Sequence, residues 1–335
     1  MTAATSTPER TQHYQNFMVD SARWDNFKFR DGDIVISTPP KSGTTWMQMI
    51  CALLIFQKPE LDEPLTDLSP WIDMDAAPID DVLARLEAQT HRRFIKTHTP
   101  LDGLPYEKEA TYLCVARDPR DAFMSMDGHH KNMRPEFIER MIEAMSQARE
   151  DAGEASTEVS AEPGSTATTT PMPKPSAEAT TPEEFRTKFR GWIADDGLPW
   201  RPDQPMGAPT VLHHTQSFWT FRHLPNIHML HYSDLLRDLD GQMRRLAEVL
   251  GIDVDEAVWP ALVDAATFEK MKGNAEMLVP EADKDMWTSR QGFFHKGKGD
   301  QWQGVLGDEE LRLYRAAMNE RSEPELAEWL ENGSL

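Results

Sequence analysis

Short apolar runs alternate with amphipathic stretches along much of this chain. The clearest apolar run occupies residues 33–37, and residues 93–96, 111–116 and 226–231 are further strand candidates. Each run is bounded by polar, glycine or proline residues, which is typical of strands buried in a parallel sheet. Apolar positions at helical spacing occupy residues 44–56, the stretch from residue 121 onward and residues 240–250. The alternation predicts a three-layer α/β/α domain with a central parallel sheet, and Gly251 is expected to end its helix as a C-terminal cap.

One segment departs from this pattern. Residues 151–182 are almost entirely Ala, Ser, Thr, Glu, Pro and Gly, and their only sizeable apolar side chains are Val159 and Met172. Such a segment cannot bury enough apolar surface to offset the entropy lost when it is ordered. Because its two flanks look like parts of one fold, we interpret it as a disordered insertion in a surface loop of a single domain spanning residues 1–335.

Composition and charge narrow the classes of function. The 335 residues are 39% hydrophobic and carry a formal net charge of −21. That hydrophobic fraction excludes a fully disordered chain. The acidic balance argues against a nucleic-acid partner or an anionic membrane held by bulk attraction, because both are polyanions. An anionic ligand would therefore need a local cluster of basic residues.

Cysteine usage and the apolar runs predict a cytoplasmic protein without a membrane span. Cys51 and Cys114 both lie in apolar runs and are expected to be buried thiols, and the sequence has no zinc-like spacing. The first residues lack the apolar stretch of a signal peptide. The longest apolar run, residues 47–56, is far shorter than the roughly 20 residues that cross a bilayer.

The strongest chemical signal follows the first predicted strand. A tight loop with Lys41, Ser42 and Gly43 leads into a helix that begins with Thr44 and Thr45. N–H groups at a helix start favour an anion, glycine lets the backbone approach closely, and the lysine and hydroxyls add donors. The alternative, a helix capped by Ser42 or Thr44 beside an incidental lysine, explains one hydroxyl but not the whole set. We therefore predict a phosphate-binding loop.

This loop is not a Walker A loop. That motif requires Gly-x-x-x-x-Gly-Lys-Ser/Thr, whereas here Lys41 precedes the only glycine of the loop. The order argues against ATPases and GTPases. The rival enzyme is a nucleotide kinase or NTPase that uses the same loop, with Asp118 as its candidate metal ligand. A non-catalytic nucleotide-binding protein with the same fold is the second alternative.

Pro-Lys-Ser-Gly-Thr-Thr-Trp at residues 40–46 resembles the 5′-phosphosulfate-binding loop of cytosolic-type sulfotransferases. Those enzymes transfer a sulfuryl group from 3′-phosphoadenosine 5′-phosphosulfate (PAPS) to a hydroxyl and release adenosine 3′,5′-bisphosphate (PAP). The resemblance covers roughly residues 30–132 and 210–302, with several motifs in the family's order. Within the family, the sequence most resembles actinobacterial members, some of which act on glycolipids. It implies a P-loop-like fold, PAPS as the donor cosubstrate, no metal and a small-molecule hydroxyl acceptor.

The second predicted strand leads into a Lys-x-His pattern that the family shares. The resemblance implies that His98 takes the proton of the acceptor hydroxyl and that Lys96 steadies the sulfonate oxygens. It also implies that Lys41 stabilises the departing phosphate oxygen. An imidazole with an ordinary pKa of about 6.5 can accept a proton near neutrality. The other histidines, including the pairs at residues 129–130 and 213–214, are interpreted as structural.

The third predicted strand leads into a second candidate phosphate site. Arg117 follows this strand and Ser125 stands eight residues later, a spacing that resembles the family's 3′-phosphate site. A guanidinium fork suits a terminal phosphate because it can donate paired hydrogen bonds. The alternative is an ion pair between Arg117 and Asp118 or Asp121 across a turn. The resemblance also implies that Ser125 helps hold Lys41 back until the acceptor arrives.

Later segments resemble the family's remaining nucleotide contacts. The resemblance implies that Trp46 and Phe268 enclose the adenine between their rings. The nucleotide contacts it implies outside Lys41, Arg117 and Ser125 are Ser42, Gly43, Thr44, Thr45, Trp46, Tyr232, Thr267, Phe268, Met271, His295, Lys296 and Gly297. His295 stands where the family has arginine, and Lys298 is the candidate to replace that charge.

The acceptor is less defined than the donor. Lipid, glycolipid, steroid and phenol hydroxyls are all candidates, and the sequence does not specify the oligomeric state. Several large aromatic residues could border an apolar acceptor pocket, with the hydrophobic core as the alternative for each. They are Trp71, Trp192, Trp200, Phe218, Trp219 and Trp287.

Overall fold

The computed structural model describes residues 7–15, 19–75, 77–137, 139–140, 143, 181–194, 208–279, 286–294 and 296–334. Most of the predicted insertion, residues 151–180, lies outside the described residues, as does His295. The predicted end of the insertion overlaps the first residue of a helix, Pro182–Ala194. The backbone N–H of Thr181 donates to the Glu184 carboxylate at 2.7 Å, which stabilises this helix start. No helix in these ranges is long and apolar enough to cross a bilayer.

The described residues form a central sheet of four parallel strands. The strands are β1 (Ile34–Ser37), β2 (Phe94–Thr97), β3 (Thr111–Ala116) and β4 (Ile227–His231). Their order across the sheet is β2-β1-β3-β4, and each neighbouring pair is parallel. All four predicted strands and their parallel arrangement are confirmed, with strand ends within one residue of the prediction.

Helices pack on both faces of the sheet. They are α1 (Thr44–Phe56), α2 (Leu65–Leu68), α3 (Ile79–Ala88), α4 (Pro119–Lys131), α5 (Pro182–Ala194), α6 (Ala208–Trp219), α7 (Tyr232–Arg237), α8 (Leu239–Leu250), α9 (Trp259–Ala265), α10 (Phe268–Gly273), α11 (Ala275–Leu278), α12 (Asp308–Arg321) and α13 (Pro324–Asn332). Short 3-10 helices occupy Ser21–Asn26, Leu101–Gly103 and Gln291–Phe293.

Local capping chemistry explains where the predicted helices begin and end. Helix α1 has the predicted bounds. Helix α8 ends at Gly251, whose φ of 62° is the left-handed conformation that glycine adopts at little cost, so the predicted cap is confirmed. Helix α4 begins two residues before the predicted position, because the Asp118 carboxylate caps it and Pro119 occupies its first turn.

The core lies in two layers, one on each face of the sheet. Alternate side chains of β1 enter opposite layers: Ile34 and Ile36 pack with α1 and α8, whereas Val35 packs with α5, α6 and α12. Cys51 and Cys114 are buried free thiols, as predicted. The predicted three-layer α/β/α architecture is confirmed.

The parallel register gathers the predicted site at one edge of the sheet. Ser37 at the end of β1 pairs with Thr97 at the end of β2, and Ala116 at the end of β3 pairs with His231 at the end of β4. The loops that follow these strands therefore emerge side by side. Ligands of open parallel sheets bind beyond this edge.

Candidate active site

The loop between β1 and α1 has the backbone shape of an anion cradle. Lys41 has a φ of 65° and Gly43 a φ of 104°. A Cβ at Gly43 would lie 3.0 Å from the Tyr232 ring, so the close packing there favours glycine. The helix N-cap residue is Gly43, with no side-chain cap hydrogen bond, so the alternative interpretation of the hydroxyls as simple caps is wrong.

Two buried polar atoms beside this loop have no partner among the described residues. Ser42 is fully buried and its Oγ makes no hydrogen bond. Arg117 is 4% exposed, and its Nε likewise lacks a partner. Leaving such groups unsatisfied costs about 1–3 kcal/mol each, so they are suited to donate to a bound anion. The residues present therefore fit a phosphate-bearing ligand.

Arg117 is held by backbone carbonyls that leave its charge available. Its Nη1 donates to the Lys41 carbonyl at 3.1 Å and its Nη2 to the Lys298 carbonyl at 2.8 Å. The alternative ion pair is not formed within the described residues. Asp118 instead pairs with Arg120 at 2.7 Å, and Asp121 accepts from backbone N–H groups of residues 300–301. The pairing with Arg120 also occupies the carboxylate that the rival NTPase interpretation needs for a metal ion.

His98 has the tautomer of a general base. Its Nδ1 lies 2.7 Å from the carbonyl oxygen of Thr38, and because a carbonyl only accepts, Nδ1 carries the proton and Nε2 the lone pair. Burial, together with the positive charge of Lys96, lowers the pKa of His98 to about 3. The imidazole is therefore neutral at physiological pH.

Trp71 joins the two functional side chains that follow β2. The Lys96 Nζ lies 4.0 Å from the centre of the Trp71 ring, and the ring meets the His98 imidazole edge to face at 4.9 Å. A backbone bridge between Trp71 and Lys96 extends the sheet at this point. Trp71 is half-buried and lies beside the base. The sequence had indicated it only as a candidate residue of the acceptor pocket.

A buried carboxylate fixes the backbone around His98. Asp73 is fully buried and accepts hydrogen bonds from the hydroxyls of Thr97 and Thr99, the two residues that flank the histidine. Trp24 Nε1 donates to the same carboxylate oxygen at 3.3 Å. Sequence reasoning missed Asp73, since a single aspartate in a loop carries no signal of the residues it will contact.

Lys41 lies among groups that lower its proton affinity. Burial, with the charges of Arg117 and Lys96, lowers the pKa of Lys41 to about 7. Its Nζ lies 2.9 Å from Nδ1 of His129 and 4.7 Å from the centre of the Phe293 ring. His129 therefore contacts a predicted site residue, which its interpretation as structural did not anticipate. The signal that could have identified it is its position four residues after Ser125 on a predicted helix.

The aromatic residues expected to hold the base lie in one cluster. Trp46 packs edge to face on Tyr232 at 5.3 Å, and its Nε1 donates to the Ala266 carbonyl at 2.8 Å. Tyr232 lies under the Arg117 guanidinium at 4.2 Å. Phe268 packs against the same core cluster as Trp46. The enclosure of adenine between Trp46 and Phe268 stays a prediction.

The other predicted contacts lie around this cluster. Thr44 and Thr45 open α1, and the Thr44 hydroxyl bonds to that of Thr38. Thr267 caps α10, and Met271 is buried in that helix. Ser125 is buried on α4 but makes no hydrogen bond to Lys41 among the described residues.

The C-terminal loop approaches the same cluster through Gly297. Its φ is 59°, and a Cβ there would lie 2.3 Å from the Phe268 ring, so only glycine fits. Lys296 and Lys298 are exposed. Arg117 anchors the loop through the carbonyl of Lys298.

The candidate acceptor aromatics divide between site and core. Trp71 lies beside His98, and Trp287 contacts His129 at 4.6 Å while being buried in the core itself. Phe218 and Trp219 are buried in the core. Trp192 packs on two phenylalanines of the core layer, and Trp200 lies outside the described residues.

Comparison with protein families and sequences gives consistent matches. A family model described as a sulfotransferase domain matches residues 31–323. The glycolipid sulfotransferase of Mycobacterium bovis is 36% identical over 329 residues, covering 96% of this chain and 94% of that protein. Human sulfotransferase 1C2 is 24% identical over 285 residues, covering 83% of this chain and 78% of that protein.

Solved structures show a similar fold. Mouse sulfotransferase SULT7A1, complexed with PAP, has a TM-score of 0.60 and 19% identity, covering 92% of this chain and 90% of its own. Retinol dehydratase, in complex with androsterone and the inactive cofactor PAP, also has a TM-score of 0.60 and 19% identity. The match covers 92% of this chain and 89% of the retinol dehydratase chain.

Proposed function

Because the chain belongs to the sulfotransferase family, we propose that it moves the sulfuryl group of PAPS to a hydroxyl of a glycolipid. The observation that carries this proposal is the convergence of a neutral base, His98, with two lysines, Lys41 and Lys96, at the carboxyl edge of the sheet. A binding protein without catalysis has no use for an oriented base.

The donor fits groups that are otherwise unsatisfied. The Ser42 hydroxyl and the Arg117 Nε can donate to anionic oxygens. The first turn of α1 adds N–H groups and a favourable dipole beside Ser42. Arg117 supplies a delocalised charge suited to the 3′-phosphate. When bound, PAPS supplies a sulfuryl group that bonds to the acceptor oxygen as the bond between sulfur and the 5′-phosphate oxygen breaks, and the phosphate keeps the electron pair.

Three side chains have separate roles in the transfer step. His98 accepts the acceptor's hydroxyl proton at Nε2, because its Nδ1 proton is committed to the Thr38 carbonyl. Lys41 stabilises the negative charge that develops on the phosphate oxygen. Lys96, held against the Trp71 ring, steadies the sulfonate oxygens. Catalysis therefore rests on positioning and charge, in analogy with phosphoryl transfer.

The acceptor proposal rests on the relative and on the aromatic surface near the base. The Mycobacterium bovis protein, which matches nearly the whole chain, is named a glycolipid sulfotransferase. Trp71 presents a half-buried ring beside His98. An aromatic face of this kind can pack against the apolar side of a sugar ring or against an alkyl chain.

The test is transfer of labelled sulfate from PAPS to a panel of glycolipids, steroids and phenols. We expect the highest kcat/KM with a glycolipid and no transfer by Lys41→Met. Lys58→Met is the matched control, because Lys58 is exposed and pairs with Asp62 on the surface. A preference for phenols or steroids would overturn the acceptor proposal alone. Absence of PAP binding, measured by calorimetry, would overturn the donor proposal.

A further inference from the structure

A histidine on α4 holds the lysine of the phosphate loop. Nζ of Lys41 lies 2.9 Å from Nδ1 of His129. Ser125, the expected partner of this lysine, lies one helical turn earlier on the same face of α4. Among the described residues, the ammonium hydrogen-bonds to the imidazole and not to the serine. The histidine is therefore placed to determine where the ammonium lies.

The imidazole itself is fixed by aromatic contacts. The His129 ring lies 4.6 Å from Trp287 and meets Phe293 edge to face at 5.6 Å, measured between ring centres. The Phe293 ring also lies under the Lys41 ammonium. The segment with Trp287 is bound to the end of α4 through a β-bridge to Met133. Because both rings belong to a segment anchored to the same helix, the direction of Nδ1 is set before any ligand binds.

The charges around the pair decide which group carries the proton. Burial, followed by the charges of Lys41, His130, Lys96 and His98, lowers the pKa of His129 well below its ordinary 6.5. Burial is also the main reason that the pKa of Lys41 falls to about 7. Since the lysine keeps the higher proton affinity, its ammonium donates, the Nδ1 of His129 accepts and the Nε2 of His129 carries the ring proton.

We propose that His129 is a positioning residue for sulfuryl transfer: it accepts a hydrogen bond from the Lys41 ammonium and holds that charge where the leaving phosphate oxygen forms. The proposal rests on the proposed function, since it assigns a task to a residue of that site. The sequence had led us to expect that Ser125 holds Lys41, and the proposal assigns this role to His129, one helical turn later. A flexible lysine held in this way loses less rotamer entropy when it meets the phosphate, so the effect falls on turnover.

Two substitutions separate the hydrogen bond from the packing. His129→Phe keeps an aromatic ring against Trp287 and Phe293 but removes the acceptor. His129→Asn places an amide oxygen near the position of Nδ1 but removes the ring. Ser125→Ala tests the competing assignment. For each variant we would measure kcat and KM for PAPS, the Kd for PAP and the melting temperature.

We expect His129→Phe to lower kcat by about 10- to 100-fold, which corresponds to the loss of one charge-assisted hydrogen bond. The KM for PAPS and the Kd for PAP should stay within about threefold, since the phosphate-binding groups are untouched. His129→Asn should recover most of the lost kcat. Ser125→Ala should reduce kcat less than His129→Phe does.

The alkaline limb of kcat/KM for PAPS should also move, because this constant reports the free enzyme, in which the pKa of Lys41 is lowered to about 7. Removing an acceptor of the ammonium proton favours neutral Lys41, so the limb should shift to lower pH in His129→Phe and return in His129→Asn. If His129 had a purely structural role, its replacement would lower the melting temperature without shifting the alkaline limb, and His129→Asn would not recover kcat.

The outcomes also separate this inference from the proposed function. A kcat for His129→Phe within twofold of the parent enzyme, or equal losses in the Phe and Asn variants, would overturn the positioning role while leaving the enzyme's activity intact. An unmodified enzyme that binds no PAP would instead overturn the proposed donor. Should His129→Phe fail to fold, the same comparison is made between His129→Asn and His129→Ala.

Discussion

Binding of the donor nucleotide should draw a proton onto Lys41. The pKa of this lysine is lowered from 10.5 to about 7, first by burial and then by the charges of Arg117 and Lys96. A bound phosphate adds the opposite charge within reach and restores the pKa toward its ordinary value. The free enzyme therefore has a neutral lysine at alkaline pH, and the bound enzyme has an ammonium.

The magnitude follows from this shift. At about pH 8 a group with a pKa of about 7 is roughly one-tenth protonated, and a bound lysine near its ordinary pKa is fully protonated, so binding takes up about 0.9 proton. At about pH 8 the phosphates of PAP have already lost their second protons, whose pKa is about 6, so they contribute little. Binding of PAP therefore takes up a proton, and the affinity for PAP should fall as the pH rises above about 7.

Calorimetry in two buffers of different ionisation enthalpy measures this number directly. Lys41→Arg is the matched control, because arginine keeps the charge but remains protonated at every accessible pH, so its uptake should be near zero. Uptake below about 0.3 proton in the unmodified enzyme, or equal uptake in Lys41→Arg, would refute the inference that Lys41 is the group titrating in the donor site.

Four further predictions concern other parts of the site. Replacing His98 with Ala should lower kcat by about 10²–10⁴-fold while PAP still binds in calorimetry, whereas a matched loss of both would mean a structural histidine. Since the pKa of His98 in the free enzyme is lowered to about 3, the kcat/KM for PAPS of the unmodified enzyme should show no ionisation of this base between about pH 5 and 8, and an acid limb near its ordinary pKa would contradict this. Asp73→Ala should reduce the free energy of unfolding by about 2–4 kcal/mol in urea titration, because two buried threonine hydroxyls lose their acceptor; a change below about 0.5 kcal/mol would contradict it. Gly297→Ala should weaken PAP binding at least about tenfold, since its Cβ would lie 2.3 Å from the Phe268 ring, and unchanged affinity in calorimetry would show that this loop is not part of the nucleotide site.

The sequence determined the features that depend on neighbouring residues. Short runs with apolar residues predicted all four strands, most clearly at β1 and β3, because a strand buried on both faces needs hydrophobic side chains whatever packs on it. The bounds of α1 and the cap at Gly251 follow from equally local rules. The phosphate loop at residues 38–43 could be found for the same reason, since its donors lie within a few consecutive residues.

Only the tertiary structure decided which distant side chains complete the site. Lys41 and His129 are 88 positions apart, and Asp73 is 24 and 26 positions from the two threonines it holds. Among the candidate aromatics, Trp71 lies beside the base whereas Phe218 is buried in the core, although both are large apolar rings in sequence. Such contacts depend on strand register, helix rotation and side-chain direction together. A linear pattern of residue types specifies none of these three for residues so far apart, and the packed sheet and its helices specify all of them.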